Sequence, residues 1–185
     1  QVKSSVVRSR PDGSTEFIDF LGNAAEGTNR GAEMDINWFV NDNFNINANA
    51  GWLDAEFDEF INEFGEDLAG RDQAHAPSYT FSVNFNYQQG PWFASVSADG
   101  KDDFYFSDRH SIKSKRYTLY NASLGFESRQ WKLTLWGRNL TDKDYYVRGF
   151  GSFGNDPRKF YVTEPYFQYG EPRVTGVTLQ LTMGG

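Results

Sequence analysis

Apolar and polar residues alternate one by one through most of this chain. The clearest run is 79–87. Tyr79, Phe81, Val83, Phe85 and Tyr87 fall on one side, and Thr80, Ser82, Asn84 and Asn86 on the other. Successive side chains of a strand point to opposite faces, so a period of two predicts a strand with one apolar face. The pattern recurs at 32–40, with Ala32, Met34, Ile36, Trp38 and Val40, and at 44–52, with Phe44, Ile46, Ala48, Ala50 and Trp52. It returns with Trp92, Ala94, Val96 and Ala98, with Thr118, Tyr120, Ala122, Leu124 and Phe126, and with Trp131, Leu133 and Leu135. It closes with Val177, Leu179, Leu181 and Met183. Residues 1–9 form a weaker strand, and 15–40 reads as mostly extended, with a Gly/Asn-rich interruption near 22–31. The reading gives eight strands and no helix.

The connections alternate in length. Short turns fall at 41–43, 88–91 and 127–130; long loops fall at about 55–75, 104–115 and 139–171. Strands of this kind, with short turns at one end and long loops at the other, predict an antiparallel transmembrane β-barrel. Trp38, Phe44, Tyr87, Trp92, Phe126 and Trp131 flank the short turns and would form an aromatic girdle at one membrane interface. Tyr79, the run 104–106 and Tyr117 would sit toward the other edge. A soluble β-sandwich also alternates. Against it, the polar faces are mostly Asn, Ser, Thr, Gln and Gly, with fewer Lys and Glu than a solvent-facing sheet usually carries, and the long-short alternation is unusual for a Greek key. In 131–146, Gly137, Asn139, Thr141 and Asp142 break the strand pattern. Asn and Asp bond to backbone just ahead of them, which predicts an ordered turn opening near Leu140.

Composition agrees. Aromatics are 17% of the 185 residues, yet mean hydropathy is low, which suits apolar residues confined to one face of many strands. No apolar run reaches the roughly 18 residues of a membrane-spanning helix. There is no Cys, hence no disulfide, thiol nucleophile or Cys-based metal site. A net charge of −7 argues against nucleic acid as a partner. The sequence starts at Gln1 without Met or a signal-type leader, so processing or truncation is expected to have removed the true start.

Three loop clusters carry candidate chemistry. Residues 54–67 hold seven acids and no base, among them Asp54, Glu56, Asp58 and Glu59. Hard cations take several carboxylates, so a calcium site or a trap for a cationic substrate is one reading; a solvated loop is the plainer one. Arg109, His110, Lys113, Lys115 and Arg116 could meet an anionic ligand or lipopolysaccharide phosphates, or form a mixed solvated loop. The longest loop holds Tyr145, Tyr146, Arg148, Phe150, Phe153, Arg158, Phe160 and Tyr161, then Tyr166, Phe167 and Tyr169. Rings with a few cations offer stacking area and charged anchors for an external ligand, or pack on themselves. Tyr145, Tyr146, Arg148, Phe150, Arg158 and Tyr161 are the first choice for ligand contact. GFGSFG at 149–154 matches G-x-G-x-x-G, but Pro157 and the missing βαβ unit exclude a dinucleotide site. His75 and His110 are read as loop residues, since nothing fixes either beside a carboxylate and a hydroxyl. No cofactor is expected.

Four segments resemble the C-terminal part of the TonB-dependent outer-membrane receptors: NAAEGTNRGAEMDINW (23–38), NINANAGWLDAEF (45–57), YNASLGFESRQWKLTLWGRNLTDKDYY (120–146) and GEPRVTGVTLQL (170–181). The third is the most specific. The resemblance implies that residues 1–185 are the last third or so of a larger plugged barrel, about eight strands of 22. It also implies that plug and TonB box lie in a missing N-terminal part. The expected function is energised uptake of a scarce nutrient, a ferric siderophore, cobalamin or a glycan. The expected partners are outer-membrane lipid, lipopolysaccharide, TonB and a small nutrient ligand. The family commonly ends on Phe, where this chain has Met183 followed by Gly184 and Gly185. A small outer-membrane hydrolase or acyltransferase and a soluble β-sandwich binding module stand as the competing readings.

Overall fold

The structure is a computed structural model and describes residues 2–22, 26–62, 65–150, 158 and 166–182. Eleven strands occur among them, in chain order β1 (Val2–Ser9), β2 (Thr15–Gly22), β3 (Gly27–Asn41), β4 (Phe44–Phe57), β5 (Tyr79–Gln89), β6 (Trp92–Lys101), β7 (Tyr117–Glu127), β8 (Trp131–Arg138), β9 (Tyr146–Phe150), β10 (Tyr166–Tyr169) and β11 (Val174–Leu181). Seven form one antiparallel sheet in the order β11-β8-β7-β6-β5-β4-β3. The sheet is open, with β3 and β11 as its edges. β1 pairs with β2, and β9 with β10, as separate hairpins. The count exceeds the expected eight because the extended stretch 15–40 divides into β2 and β3, and because the longest loop contains the β9–β10 hairpin.

Register separates the two faces. Ile46 pairs with Phe85, Phe85 with Val96 and Val96 with Ala122, giving an apolar row. One position along, Asn47 pairs with Asn84, Asn84 with Ser97 and Ser97 with Asn121, giving a polar row. A slip of one residue would exchange the faces, so the alternation fixes the pairing. The apolar face is exposed in this chain: Trp38 is 58%, Trp92 54%, Val96 50% and Leu181 64% accessible.

Trp38, Tyr87, Trp92 and Trp131 line the short-turn edge of the apolar face, and Trp52, Tyr79 and Tyr120 lie toward the other. At about 3.4 Å per residue, the eight steps from Tyr79 to Tyr87 run about 27 Å along the strand. With a tilt of about 40° the band is about 21 Å tall, close to the apolar belt of an outer-membrane barrel. Phe104 and Phe106 lie at the expected edge but turn inward, at 4% and 3% exposure. They follow the end of β6, where the pleat no longer dictates direction.

Where β4 overruns β5, the loops fold back and form a cap. The Leu53 amide donates to the Ser78 carbonyl, Phe57 to Arg71 and Gln73 to Ala55, at 2.8–3.0 Å. All four buried apolar side chains among the described residues lie at this end: Ala55, Leu68, Phe104 and Phe106. Arg71 ties the first long loop to the second. Its guanidinium donates to the carbonyls of Ser107 (2.6 Å) and His110 (2.8 Å) and lies 3.9 Å from the Tyr105 ring centroid.

Candidate functional site

The turn after β8 is ordered as its residues require. Asn139 takes a positive φ of 47° and is 3% exposed. Its side-chain oxygen accepts from the Lys143 amide at 2.9 Å, and its Nδ2 donates to the carbonyls of Lys143 and Glu171, both at 3.0 Å. Asp142, with φ 53°, accepts from the Arg173 amide at 2.9 Å. Arg138 pairs with Glu171 at 2.7 Å. These bonds join the end of β8 to the lead into β11 and set the base of the β9–β10 hairpin.

The hairpin carries most of the predicted ligand residues. Tyr146 packs on Phe167 and Tyr169, with centroids 4.6 and 4.9 Å apart, and its hydroxyl lies 3.4 Å from that of Tyr169. That hydrogen bond and the neighbouring phenol raise the Tyr169 pKa above the usual tyrosine value. Tyr145 packs 4.6 Å from Tyr117, and its hydroxyl accepts from the Glu171 amide at 3.2 Å. A Cβ on Gly170 would come within 1.9 Å of the Tyr145 ring, so only glycine lets the ring lie there. Phe106 links cap and hairpin, meeting Phe104 edge-on at 5.3 Å and Phe167 at a tilt at 5.6 Å. Arg148 stands opposite Gln168 and Phe150 opposite Tyr166 in the hairpin register. Arg158 is exposed. Tyr161, Phe153 and Phe160 lie outside the described residues. Tyr145, Tyr146, Arg148 and Phe150 therefore share one short segment beside exposed Tyr166 and Tyr169.

The acidic candidates are dispersed. Asp54 and Glu56 belong to β4, opposite Arg30 and Thr28, rather than to a loop. Asp58 accepts from the Thr28 hydroxyl at 2.8 Å, and the Asp58 and Glu59 amides both donate to the Glu26 carbonyl. Among the described residues no three His or acidic side chains come close enough to hold a metal. Glu63 lies outside them. The basic cluster is partly committed to the cap. Lys113 bridges Asp72 (3.3 Å) and Asp103 (3.1 Å). Burial opposes its charge, and the bonds from Asp103 and Asp72 outweigh it, so its pKa lies above the ordinary lysine value. Burial, then the charge of Arg71, lowers the His110 pKa, with Asp108 opposing.

Three features escaped the sequence reading. Arg71 gives no local signal, since its partners are backbone carbonyls some 36–39 residues away. Asp99 and Asn121 were signalled only by their parity on the polar strand face. There Asp99 accepts from Ser82 (2.6 Å), Ser97 (3.3 Å) and Asn121 (3.0 Å).

Comparison with known proteins fits this architecture. The family described as TonB dependent receptor-like, beta-barrel, matches residues 3–140. The ferric yersiniabactin uptake receptor FyuA from Yersinia pestis superposes with a TM-score of 0.69 at 16% identity, over 86% of this chain and 24% of its own. The siderophore receptor PiuA from Acinetobacter baumannii gives 0.64 at 19% identity, over 83% of this chain and 21% of its own. The copper transporter OprC gives 0.58 at 14% identity, over 95% of this chain and 26% of its own. An antiparallel sheet with an apolar outer face, a polar inner face and long loops at one end is the wall of an outer-membrane barrel. The chain belongs to the TonB-dependent receptor β-barrel family, whose members are outer-membrane transporters and receptors rather than enzymes. It spans about a quarter of the length of the solved structures it resembles.

Proposed function

We propose that this chain is the C-terminal portion of a receptor for energised uptake of a scarce nutrient, a ferric siderophore in the first instance. Cobalamin and glycans are the other candidate cargoes. The observation that carries the reading is the joint presence of a two-faced sheet and, at its long-loop end, a preassembled aromatic hairpin. The apolar face meets lipid, and the polar face lines the lumen. Tyr146, Tyr166 and Tyr169 offer stacking area with hydroxyl donors, and Arg148 and Arg158 supply positive charge for an anionic ferric chelate. Lipopolysaccharide surrounds the outer loops, and TonB acts through the N-terminal portion of the receptor, outside this chain.

The test is uptake of iron-labelled siderophores by cells with and without the full receptor, under iron limitation. Loss of uptake on deletion, restored by the wild-type gene, supports the reading. Unchanged uptake of every ferric siderophore, cobalamin and glycan tried would overturn it. In the restored strain, Tyr169→Ala should weaken binding of the accepted siderophore by about 0.5–1.5 kcal/mol, the usual contribution of one aromatic pair, or about two- to twelvefold in Kd.

A further inference from the structure

The polar face contains a continuous chain of side-chain hydrogen bonds that ends at the base of the aromatic hairpin. It begins at Asp99 on β6, whose carboxylate accepts from Ser82 on β5 and Ser97 on β6. Asn121 on β7 donates through Nδ2 to Asp99 Oδ2 and Ser97 Oγ, both at 3.0 Å. The Oδ1 of the same residue accepts from the Asn139 amide at 3.0 Å. Asn139 then holds Lys143 and the Glu171 carbonyl, and Glu171 holds the Tyr145 hydroxyl. The run crosses from β5 to the lead into β11. It borders a cavity of about 340 Å³ on the polar face, lined by Ser97, Asn121, Trp136 and Arg138 among others.

The chain has a polarity that one group sets. A carboxylate can only accept, so Asp99 obliges Asn121 to present its NH2. Asn121 must then present its oxygen to Asn139. With the amide reversed, its NH2 would face the Asn139 N–H, donor against donor, in a nearly buried place where an unmade bond is costly. We infer that Asp99 and Asn121 are positioning residues for the outer hairpin: they fix the orientation of Asn139 and thereby the set of Tyr145 and of the β9–β10 base. A donor that engages Asp99 from the lumen draws on the same carboxylate, so the state of the lumen wall is felt at the mouth. The functional weight of this relay rests on the hairpin being the ligand site, but its existence does not.

The test uses the full receptor in detergent and reads amide hydrogen exchange at Lys143, Gly170 and Glu171, with Val177–Leu181 as control. Asn121→Asp sets two carboxylates face to face and removes the Nδ2 donor. It should speed exchange at the three amides by about tenfold, as loss of one buried hydrogen bond would. The exchanged pair Asp99→Asn with Asn121→Asp restores a donor-acceptor match at every link and should return the rates to within about twofold of wild type. Asp99→Asn alone should change little, since its NH2 can face the Ser82 hydroxyl. Should Asn121→Asp fail to fold into a heat-modifiable barrel, Asp99→Ala serves in its place, with the same three amides expected to speed up. Wild-type rates in Asn121→Asp, or in Asp99→Ala where that variant takes its place, or an exchanged pair no slower than Asn121→Asp, would overturn the relay. Exchange needs no ligand, so failure of the uptake experiment leaves this result standing, and the reverse.

Discussion

The strand wall and the loop cap solve the same problem in opposite ways. In the wall, large apolar side chains such as Trp38, Val96 and Leu124 are exposed, and hydrogen bonds join the polar face. In the cap, Phe104, Phe106 and Leu68 are buried, and Arg71 reaches across to two backbone carbonyls. On the proposed reading the wall leaves its apolar surface for lipid to cover, whereas the cap stands in water and builds its own small core. A barrel strand is thus specified by alternation alone, and a cap by particular partners. Substitutions should therefore divide cleanly between the two regions.

The largest expected effect is in the cap. Phe106→Ala removes a ring packed on Phe104 and Phe167 and should cost the cap about 3–5 kcal/mol. Proteolysis of the loops in the folded receptor would reveal it, while heat-modifiable migration of the barrel stays normal. Loss of the barrel itself would show that wall and cap are not independent.

On the wall, Val96→Arg places a charge midway along β6 on the lipid face. It should lower stability in lipid vesicles by about 2–4 kcal/mol, read by denaturant unfolding. Ser97→Arg, one residue on, faces the lumen and should cost clearly less. Arg71→Met keeps the side-chain stem but loses two charge-assisted bonds, and should open the cap by about 2–3 kcal/mol in the proteolysis assay.

The smallest effect concerns pH. His110 is held below the ordinary histidine pKa by burial and by Arg71. A lowered folded pKa means that neutral His110 favours the docked cap. That contribution is complete above the unfolded value of about 6.5 and is lost as pH falls from there toward the folded pKa. Cap amides at Ile112 and Ser114, corrected for intrinsic exchange, should lose protection on acidification below about pH 6.5, and His110→Gln should flatten the change.

The same division explains what the sequence disclosed. Alternation located all seven strands of the sheet, because a strand with one apolar face leaves a period of two whatever covers it. It also located the turn at Asn139, since Asn and Asp carry their own backbone preference. The aromatic hairpin was legible only as composition: Tyr145, Tyr146, Arg148 and Phe150 are neighbours in the sequence, and what the structure adds is the pairing that sets Arg148 opposite Gln168 and Phe150 opposite Tyr166. Its strands were not legible, because β9 has five residues and β10 four, too few to show a period. The acidic run suggested carboxylates converging, but Asp54 and Glu56 share a strand with Ala55, which alone turns into the cap. The docking of Arg71 and Phe106 depends on partners distant in the chain, which no local pattern carries.

As proposed, one face of the wall meets lipid and the other water. Single cysteines along β7 test this most directly, and this segment has no native Cys to interfere. With the receptor in the outer membrane, a water-soluble maleimide should label cysteine at Leu119, Asn121 and Ser123 and spare Tyr120, Ala122 and Leu124. Equal labelling at all six positions, or labelling of the Leu124 set in place of the Ser123 set, would contradict it.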